Sequence, residues 1–270
     1  MRPITYAVVG RNEERTLAIA LGQALEATRP GDRVWFVDSA STDRSAQIAR
    51  ELGVEVLSAP VGKGRAVALA LARCEGGPLC LLDGDIESST GNIPAALRDE
   101  WQATGADMVV GAFVWPERRE FSIGDGIFRP LAQALFPEYY DSVKNNPLGG
   151  FRLLDTSVPL GVLPPGYGIE CHLNLHVVAR GGQIAWADLG TYHGPVIYQP
   201  TMAPDIAAAT LDAAVSLGRI SDRERPVWDA WVAPVLEVIS TLPMVDESGL
   251  DDYRERLTAA AARPLPTVQR

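Results

Sequence analysis

The chain is poor in the residue that staples small secreted folds. Its 270 residues hold three cysteines, Cys74, Cys80 and Cys171, which make no disulfide framework, and a cytoplasmic protein is expected. Nor is there an excess of basic charge. Lysine and arginine total 24 against 34 acidic residues, a formal net charge of -10. A nucleic acid or an anionic membrane surface needs a basic patch, so neither is an expected partner. No stretch approaches the ~18 uninterrupted apolar residues of a membrane span. No apolar signal core precedes the strand-like run at residues 4–9. Internal repeats are lacking too. What remains is an ordinary globular composition, long enough for one large domain or two small ones. With so little positive charge, a phosphorylated substrate has to be held locally, by a metal, a few basic groups or helix N-termini.

Strand and helix signals alternate through the first half. Apolar runs at residues 4–9, 33–37, 54–57, 78–82 and 108–114 are separated by helix-like stretches at 12–28, 41–52, 65–73 and 94–103. Asn12 reads as the N-cap of the first helix, with acids in the first turn, and Gly53 closes the second. This order predicts an α/β fold, a Rossmann-like, mainly parallel sheet with helices on both faces. The middle is less regular: a helix at 123–135, a loop at 144–150, a short strand at 151–154, a helix at about 169–180 and a last strand at 183–189. After Pro200 the pattern is helical, in pieces near 205–217, 224–240 and 250–262.

The most informative motif is Asp83-Gly84-Asp85, at the end of the apolar run 78–82. Residues two apart in an extended segment point the same way, so both carboxylates project from a strand end. That is where open α/β sheets bind ligands. Two hard oxygen ligands facing a cleft suit Mg²⁺ or Mn²⁺ bridged to phosphate oxygens. Three further polar motifs follow the earlier strands: Asn12-Glu13-Glu14, Asp38-Ser39-Ala40-Ser41-Thr42-Asp43 and Gly62-Lys63-Gly64. Four such motifs at successive strand ends converge on one crevice.

The set resembles the nucleotide-binding half of a GT-A glycosyltransferase. Asn146-Pro147-Leu148-Gly149-Gly150, Gly166-Tyr167-Gly168-Ile169-Glu170, Asp188-Leu189-Gly190-Thr191-Tyr192-His193 and Arg129-Pro130-Leu131 sharpen it. In order and approximate spacing they are similar to the glucosyl-3-phosphoglycerate synthase and mannosylglycerate synthase type of retaining enzyme, over residues 4–195. The resemblance implies a nucleotide-sugar-binding half at 1–115, an acceptor-binding half at 116–200 and a helical C-terminal region at 201–270. It implies donor contacts from Asn12, Glu13, Glu14, Asp38, Ser39, Lys63, Asp83 and Gly84, and a divalent metal, Mg²⁺ or Mn²⁺, on Asp85 and His193. Catalytic roles fall to Asp85 and Glu170, and acceptor contacts to Gly149, Tyr167 and Glu170. Its members act as dimers, so a homodimer is expected. Retention implies front-face attack, with the leaving phosphate taking the acceptor proton, and no general base is assigned. Lys63 and Glu170 also have plain readings, a surface lysine after a glycine turn and an acid at a helix start; Tyr167 reads more readily as packing.

One departure bears on the acceptor. Where the phosphoglycerate enzymes carry Gly-Arg-x-Thr, this chain has Phe121-Ser122-Ile123-Gly124, and Thr191 stands where they have arginine. The bidentate clamp of arginine on an anion is lost unless Arg118, Arg119 or Lys144 replaces it. The expected acceptor is therefore a small, less charged hydroxylated molecule rather than 3-phosphoglycerate. Alternatives are the phosphoglycerate activity itself or a degenerate nucleotide-sugar-binding protein. Other classes fit less well. Gly64 follows Lys63 where a P-loop needs Ser or Thr, and the first strand lacks the glycine-rich loop of a pyrophosphorylase. Glu87-Ser88-Ser89 stands where polyprenyl-phosphate sugar transferases usually carry a Gln-His-Pro-Pro-like run. His172 and His176 share a helix face, as zinc ligands can, but without the glutamate of a zincin.

Overall fold

The computed structural model describes residues 2–114, 123–140, 147–195 and 199–267. Arg118, Arg119, Phe121, Ser122, Lys144 and Asn146 lie outside the described residues. The elements in chain order are β1 (Thr5–Gly10), α1 (Leu17–Ala27), β2 (Arg33–Asp38), α2 (Ser45–Glu51), β3 (Glu55–Ser58), α3 (Lys63–Arg73), β4 (Pro78–Asp83), β5 (Ser88–Ser89), α4 (Ile93–Thr104) and β6 (Met108–Val114). A π turn at Gly124–Phe128 leads into α5 (Arg129–Leu135) and α6 (Pro137–Tyr140). Then come β7 (Arg152–Asp155), α7 (Ile169–Ala179), β8 (Ile184–His193), α8 (Met202–Ser216), α9 (Arg225–Ser240) and α10 (Leu250–Ala261).

The strands form one sheet in the order β3-β2-β1-β4-β7-β6-β8-β5. The first four are parallel, as the βα alternation predicts. The antiparallel β7 is inserted between β4 and β6, setting Arg152 opposite both Leu81 and Val110. Strand alternation sorts the core into two layers. Cys80 and Leu82 of β4 face the layer that holds Leu17, Leu21, Ile93 and Leu97 of α1 and α4. Leu79 and Leu81 face the layer of Ala66, Val67 and Ala70 of α3 with Ile169 and Leu173 of α7. Asp83 continues the second set and so points toward α3 and α7. A third core joins Leu131 and Leu135 of α5, Leu175 of α7, Ile206 and Leu211 of α8, and Trp228 and Val235 of α9.

Several boundaries depart from expectation: α2 starts at Ser45 rather than 41 and α3 at Lys63 rather than 65, and two further departures bear on the site. Asn12 is not a helix cap. It sits at φ 61°, a conformation asparagine tolerates better than most residues, and α1 begins five residues later, with Thr16 at the cap position. The last strand also runs on past 189 to His193. Gly190 at φ 63° and a register shift against β6 between Ala112 and Val114 bend it, and its end pairs with β5.

Candidate active site

The centre of the crevice is a three-residue ion cluster. Lys63 Nζ lies 2.8 Å from Asp83 Oδ1 and 2.7 Å from Glu170 Oε1. Lys63 opens α3 and Glu170 sits in the first turn of α7. Two backbone bonds join these helix starts: Gly64 N–H donates to the Gly166 carbonyl at 3.1 Å, and Arg65 N–H to that of Pro165 at 3.2 Å. A Cβ on Gly64 would stand 1.9 Å from the Pro164 oxygen, so only glycine lets the strands of chain meet. The first N–H groups of α3, ordinarily an anion cradle, are thus partly used by the protein itself. Burial works against the Lys63 charge, but Asp83 and Glu170 outweigh it and raise the ammonium above its ordinary value. Two of its three N–H groups are engaged, leaving one for a further oxygen.

Gly150 makes room for Asp83. A Cβ there would lie 2.2 Å from Asp83 Oδ2 and 2.3 Å from Oδ1. Gly150→Ala is expected to push the carboxylate off Lys63 and to cost about 1–3 kcal/mol, the usual range for overpacking. Chemical denaturation checks it, and unchanged stability would mean the loop yields freely.

Asp85 is placed differently. Among the described residues no cation pairs with it. Its one near contact is the Tyr192 hydroxyl, 3.4 Å from Oδ1. Burial, then the charge of Asp83, pushes its carboxyl up to about 7, with Glu13 adding to the rise and Lys63 opposing it. A carboxyl raised in the folded state stabilises the protein below its unfolded value, near 3.9, and that stability is lost as pH rises toward 7. In chelator, the melting temperature should therefore fall between pH 4 and 7 by the equivalent of about 3 kcal/mol from this group. Asp85→Asn should flatten that slope; an identical slope in the variant would place its origin elsewhere.

The loops after β1 and β2 are laced together. Asn12 Oδ1 accepts from Thr42 N–H at 2.8 Å, and Asn12 N–H donates to Ser41 Oγ at 3.0 Å. Glu13 N–H donates to Ser45 Oγ at 2.7 Å; Glu14 N–H donates to Asp43 Oδ2 at 3.1 Å, and Glu14 Oε2 accepts from Arg44 N–H at 3.2 Å. Asp38 Oδ1 accepts from Ser41 N–H at 2.9 Å, and Ser39 Oγ accepts from Gly62 N–H at 3.0 Å, tying the second loop to α3. Asn12, Glu14 and Ser39 thus shape the crevice with their own polar atoms. Gly84 passes under Glu13, whose Cγ would be 3.0 Å from a Cβ placed there. Burial pushes the Glu13 carboxyl up.

At the other side, His193 ends β8 beside Ser88 and is exposed. It alternates with Tyr192, which packs into the α1 and α4 layer, so His193 points away from that layer. Tyr167 N–H donates to Asp205 Oδ2 at 3.0 Å, and burial pushes the Tyr167 phenol up. The Gly149 carbonyl accepts from Arg152.

The sequence assigns four participants no role, although Gly150 and Tyr192 lie within the motifs that carry the resemblance. Arg152 reads as an interruption of a short strand, Asp205 as one acid on a polar helix, Tyr192 as an aromatic beside the histidine, and Gly150 as a second loop glycine. Only the sheet order and the α7–α8 packing bring them in. The histidine pair is engaged with itself and with the backbone. The His172 and His176 rings stack at 3.8 Å, His172 Nε2 lies 2.6 Å from the Leu160 carbonyl, and burial pushes His176 down to about 4. No group of three or more His, Cys, Asp or Glu among the described residues converges on one metal position. Nor does any described helix have the length and apolarity to cross a membrane.

The family model of glycosyl transferase family 2 matches residues 7–154. No curated protein matches the chain. Among solved structures it is similar to glucosyl-3-phosphoglycerate synthase from Mycobacterium tuberculosis in complex with Mg²⁺ and uridine diphosphate. The TM-score is 0.68 at 24% identity, covering 79% of this chain and 79% of that one. The same enzyme with phosphoglyceric acid gives 0.67 at 24%, over 79% and 80%. With Mn²⁺, uridine diphosphate and glucosyl-3-phosphoglycerate it gives 0.66 at 23%, over 79% and 80%. At these identities the likeness establishes the fold, the GT-A arrangement expected from the sequence.

Proposed function

Because this chain belongs to glycosyl transferase family 2, we propose that it moves a sugar from a nucleoside diphosphate sugar to a small hydroxylated acceptor, with retention. The observation that carries this reading is the division of labour in Asp83-Gly84-Asp85. Asp83 is paired directly with Lys63, while Asp85 has no direct cation partner among the described residues and feels Lys63 only at a distance. A carboxylate held against its own ionisation by burial and by Asp83 suits a divalent cation. Mg²⁺ is ordinarily held by one or two carboxylates plus substrate phosphates, so no third protein ligand is required. Asp85 and His193 would hold the ion, which would supply Lewis-acid neutralisation of the departing diphosphate.

The rest of the reaction rests on the chain's own groups. The laced loops carrying Asn12, Glu13, Glu14, Asp38 and Ser39 present a preformed edge to the nucleoside, with little ordering left to do on binding. Lys63 offers its remaining N–H to a donor oxygen. Glu170, half of its charge spent on Lys63, faces the sugar and acceptor hydroxyls as a hydrogen-bond acceptor rather than a base. Gly149 and Tyr167 border the acceptor. The described charges around them are mixed, Glu170 and Asp205 against Lys63, Arg11 and Arg152, so the preference for a neutral acceptor such as a sugar, a cyclitol or a nucleoside-derived alcohol over 3-phosphoglycerate rests on the sequence at 121–124, where the arginine clamp is replaced. A homodimer through the helices after Pro200 belongs to the same reading.

The test is a melting screen of UDP- and GDP-sugars with Mn²⁺ followed by product analysis. A donor at 100 times its dissociation constant should add about 2.7 kcal/mol of stability. Neutral acceptors should then outpace 3-phosphoglycerate, and the product should keep the donor's anomeric configuration. Equal or faster transfer to 3-phosphoglycerate would overturn the acceptor reading, and an inverted product the stereochemical one.

A further inference from the structure

The middle of the sheet holds a cation that the proposed reaction leaves unused. Arg152 of β7 is wholly buried, with 0% of its surface exposed. No carboxylate pairs with it directly among the described residues. It grips three neutral oxygens instead: the Glu170 carbonyl at 3.1 Å, Asn174 Oδ1 at 3.0 Å and the Gly149 carbonyl. Its Nε–H has no hydrogen-bond partner among the described residues. Together with Lys63, Asp83 and Glu170 it lines a cavity of about 10 Å³, room for roughly one water. Burial pushes the guanidinium down from its ordinary value, and Glu170 and Asp83 act to sustain it.

Such a residue is an expensive way to hold a fold. Desolvating a cation costs several kcal/mol, and an apolar side chain of similar volume is often as stable or better. The contacts it makes are specific in another sense. Gly149 adjoins Gly150, the residue that gives Asp83 its place. The Glu170 carbonyl belongs to the residue whose side chain meets Lys63. Asn174 lies one turn further along α7, and its amide returns to the Pro147 carbonyl at 2.7 Å and the Tyr139 hydroxyl at 2.9 Å. The rigid guanidinium fork therefore spans the 147–150 loop and the first turn of α7, both ends of the carboxylate pair that Lys63 holds.

We propose that Arg152 is a positioning residue that fixes Glu170 relative to Asp83 and Lys63, and so sets the sugar-to-acceptor side of the crevice without touching either substrate. The inference rests on the glycosyl-transfer reading above and adds a residue to it. Lysine keeps the charge but cannot bridge both segments with one planar group. Neither the loops after β1 and β2 nor Asp85 hangs on Arg152, so donor binding should be spared.

The experiment compares wild type, Arg152→Met, Arg152→Lys, Glu170→Gln and the double variant Arg152→Met with Glu170→Gln. Calorimetric binding of UDP with Mn²⁺, kcat and acceptor KM, and melting temperature are read on each. Arg152→Met and Arg152→Lys should both lose about a hundredfold in kcat, the scale of an ångström-sized misplacement. Their UDP affinity should stay within about twofold of wild type. The double variant should be no slower than Glu170→Gln alone, since a misplaced glutamate has nothing left to lose. Full activity in Arg152→Lys, additive losses in the double variant, or UDP affinity falling in step with kcat would each overturn the proposal. If wild type neither binds UDP nor transfers sugar, the glycosyl-transfer reading fails, and Arg152 is judged on melting temperature alone. A joint loss smaller than the sum of the single losses supports the link to Glu170, and additive losses refute it.

Discussion

Asp85→Asn is expected to lower sugar transfer by about a thousandfold and to leave a folded protein. The group lies on the turn after β4, and Gly84 fixes that turn through its own backbone: its N–H reaches the Val9 carbonyl at 2.9 Å, and its carbonyl accepts from the Thr16 hydroxyl at 2.9 Å. The amide fits the same space. In the metal-free protein it is the better tenant, since the carboxylate is opposed by burial and by Asp83. What the amide cannot do is ligate a divalent ion as an anion. A loss of about 4 kcal/mol of charge stabilisation on the leaving diphosphate corresponds to roughly three decades of rate. Turnover of a UDP- or GDP-sugar, with circular dichroism as the folding control, measures it. Activity above a tenth of wild type, or full wild-type activity in excess chelator, would sink the metal role of Asp85.

Removing the central cation should cost both stability and rate. Lys63→Met leaves Asp83 and Glu170 facing each other across a gap, with side chains 25% and 7% exposed. Breaking a buried ion pair from one side typically costs 3–5 kcal/mol. Allowing for the solvent that still reaches Asp83, about 3 kcal/mol is expected, which for a chain of this size is roughly 6–10 °C in melting temperature. Because the ammonium is raised above its ordinary value, its contribution is complete at neutral pH and fades only as pH climbs through the raised value. The deficit should nevertheless be larger at pH 8 than at pH 6, because Lys63 also holds down the Asp85 carboxyl, whose ionisation costs the folded protein more once the ammonium is gone. Transfer should fall at least about a hundredfold, as the Asp83 and Glu170 geometry relaxes. Restoring neutrality in Lys63→Met with Glu170→Gln should recover much of the stability but not the rate. Were Lys63→Met as stable as wild type, the cluster would be an incidental surface contact.

The two variants differ in a way that a single assay misses. Asp85→Asn trades function for stability in the metal-free protein, whereas Lys63→Met loses both. That contrast follows from position. Among the described residues Asp85 has no cation partner, and Lys63 is the partner of two carboxylates.

The sequence alone determined the succession of strands and helices up to Asp83-Gly84-Asp85, because each parallel βα unit carries its own local signature: an apolar run, a polar turn, an amphipathic helix. It determined that Asn12, Glu13, Glu14, Asp38, Ser39, Lys63, Asp83 and Asp85 end on one edge, since all follow parallel strands at the same end; Glu170 enters only through the family resemblance. It could not show that Lys63 spends its charge on Asp83 and Glu170, because that depends on where α7 docks, more than a hundred residues from α3. Asn12 looked like a helix cap because the caps of real helices use the same residue type; its left-handed backbone is imposed by the loop after β2. The tertiary structure alone decided the reversed β7. A four-residue strand with an arginine in it has no periodicity to read, yet between β4 and β6 it buries that arginine beneath the site. Only there are Gly149, Glu170 and Asn174 within reach of Arg152, the contacts on which its proposed positioning role rests.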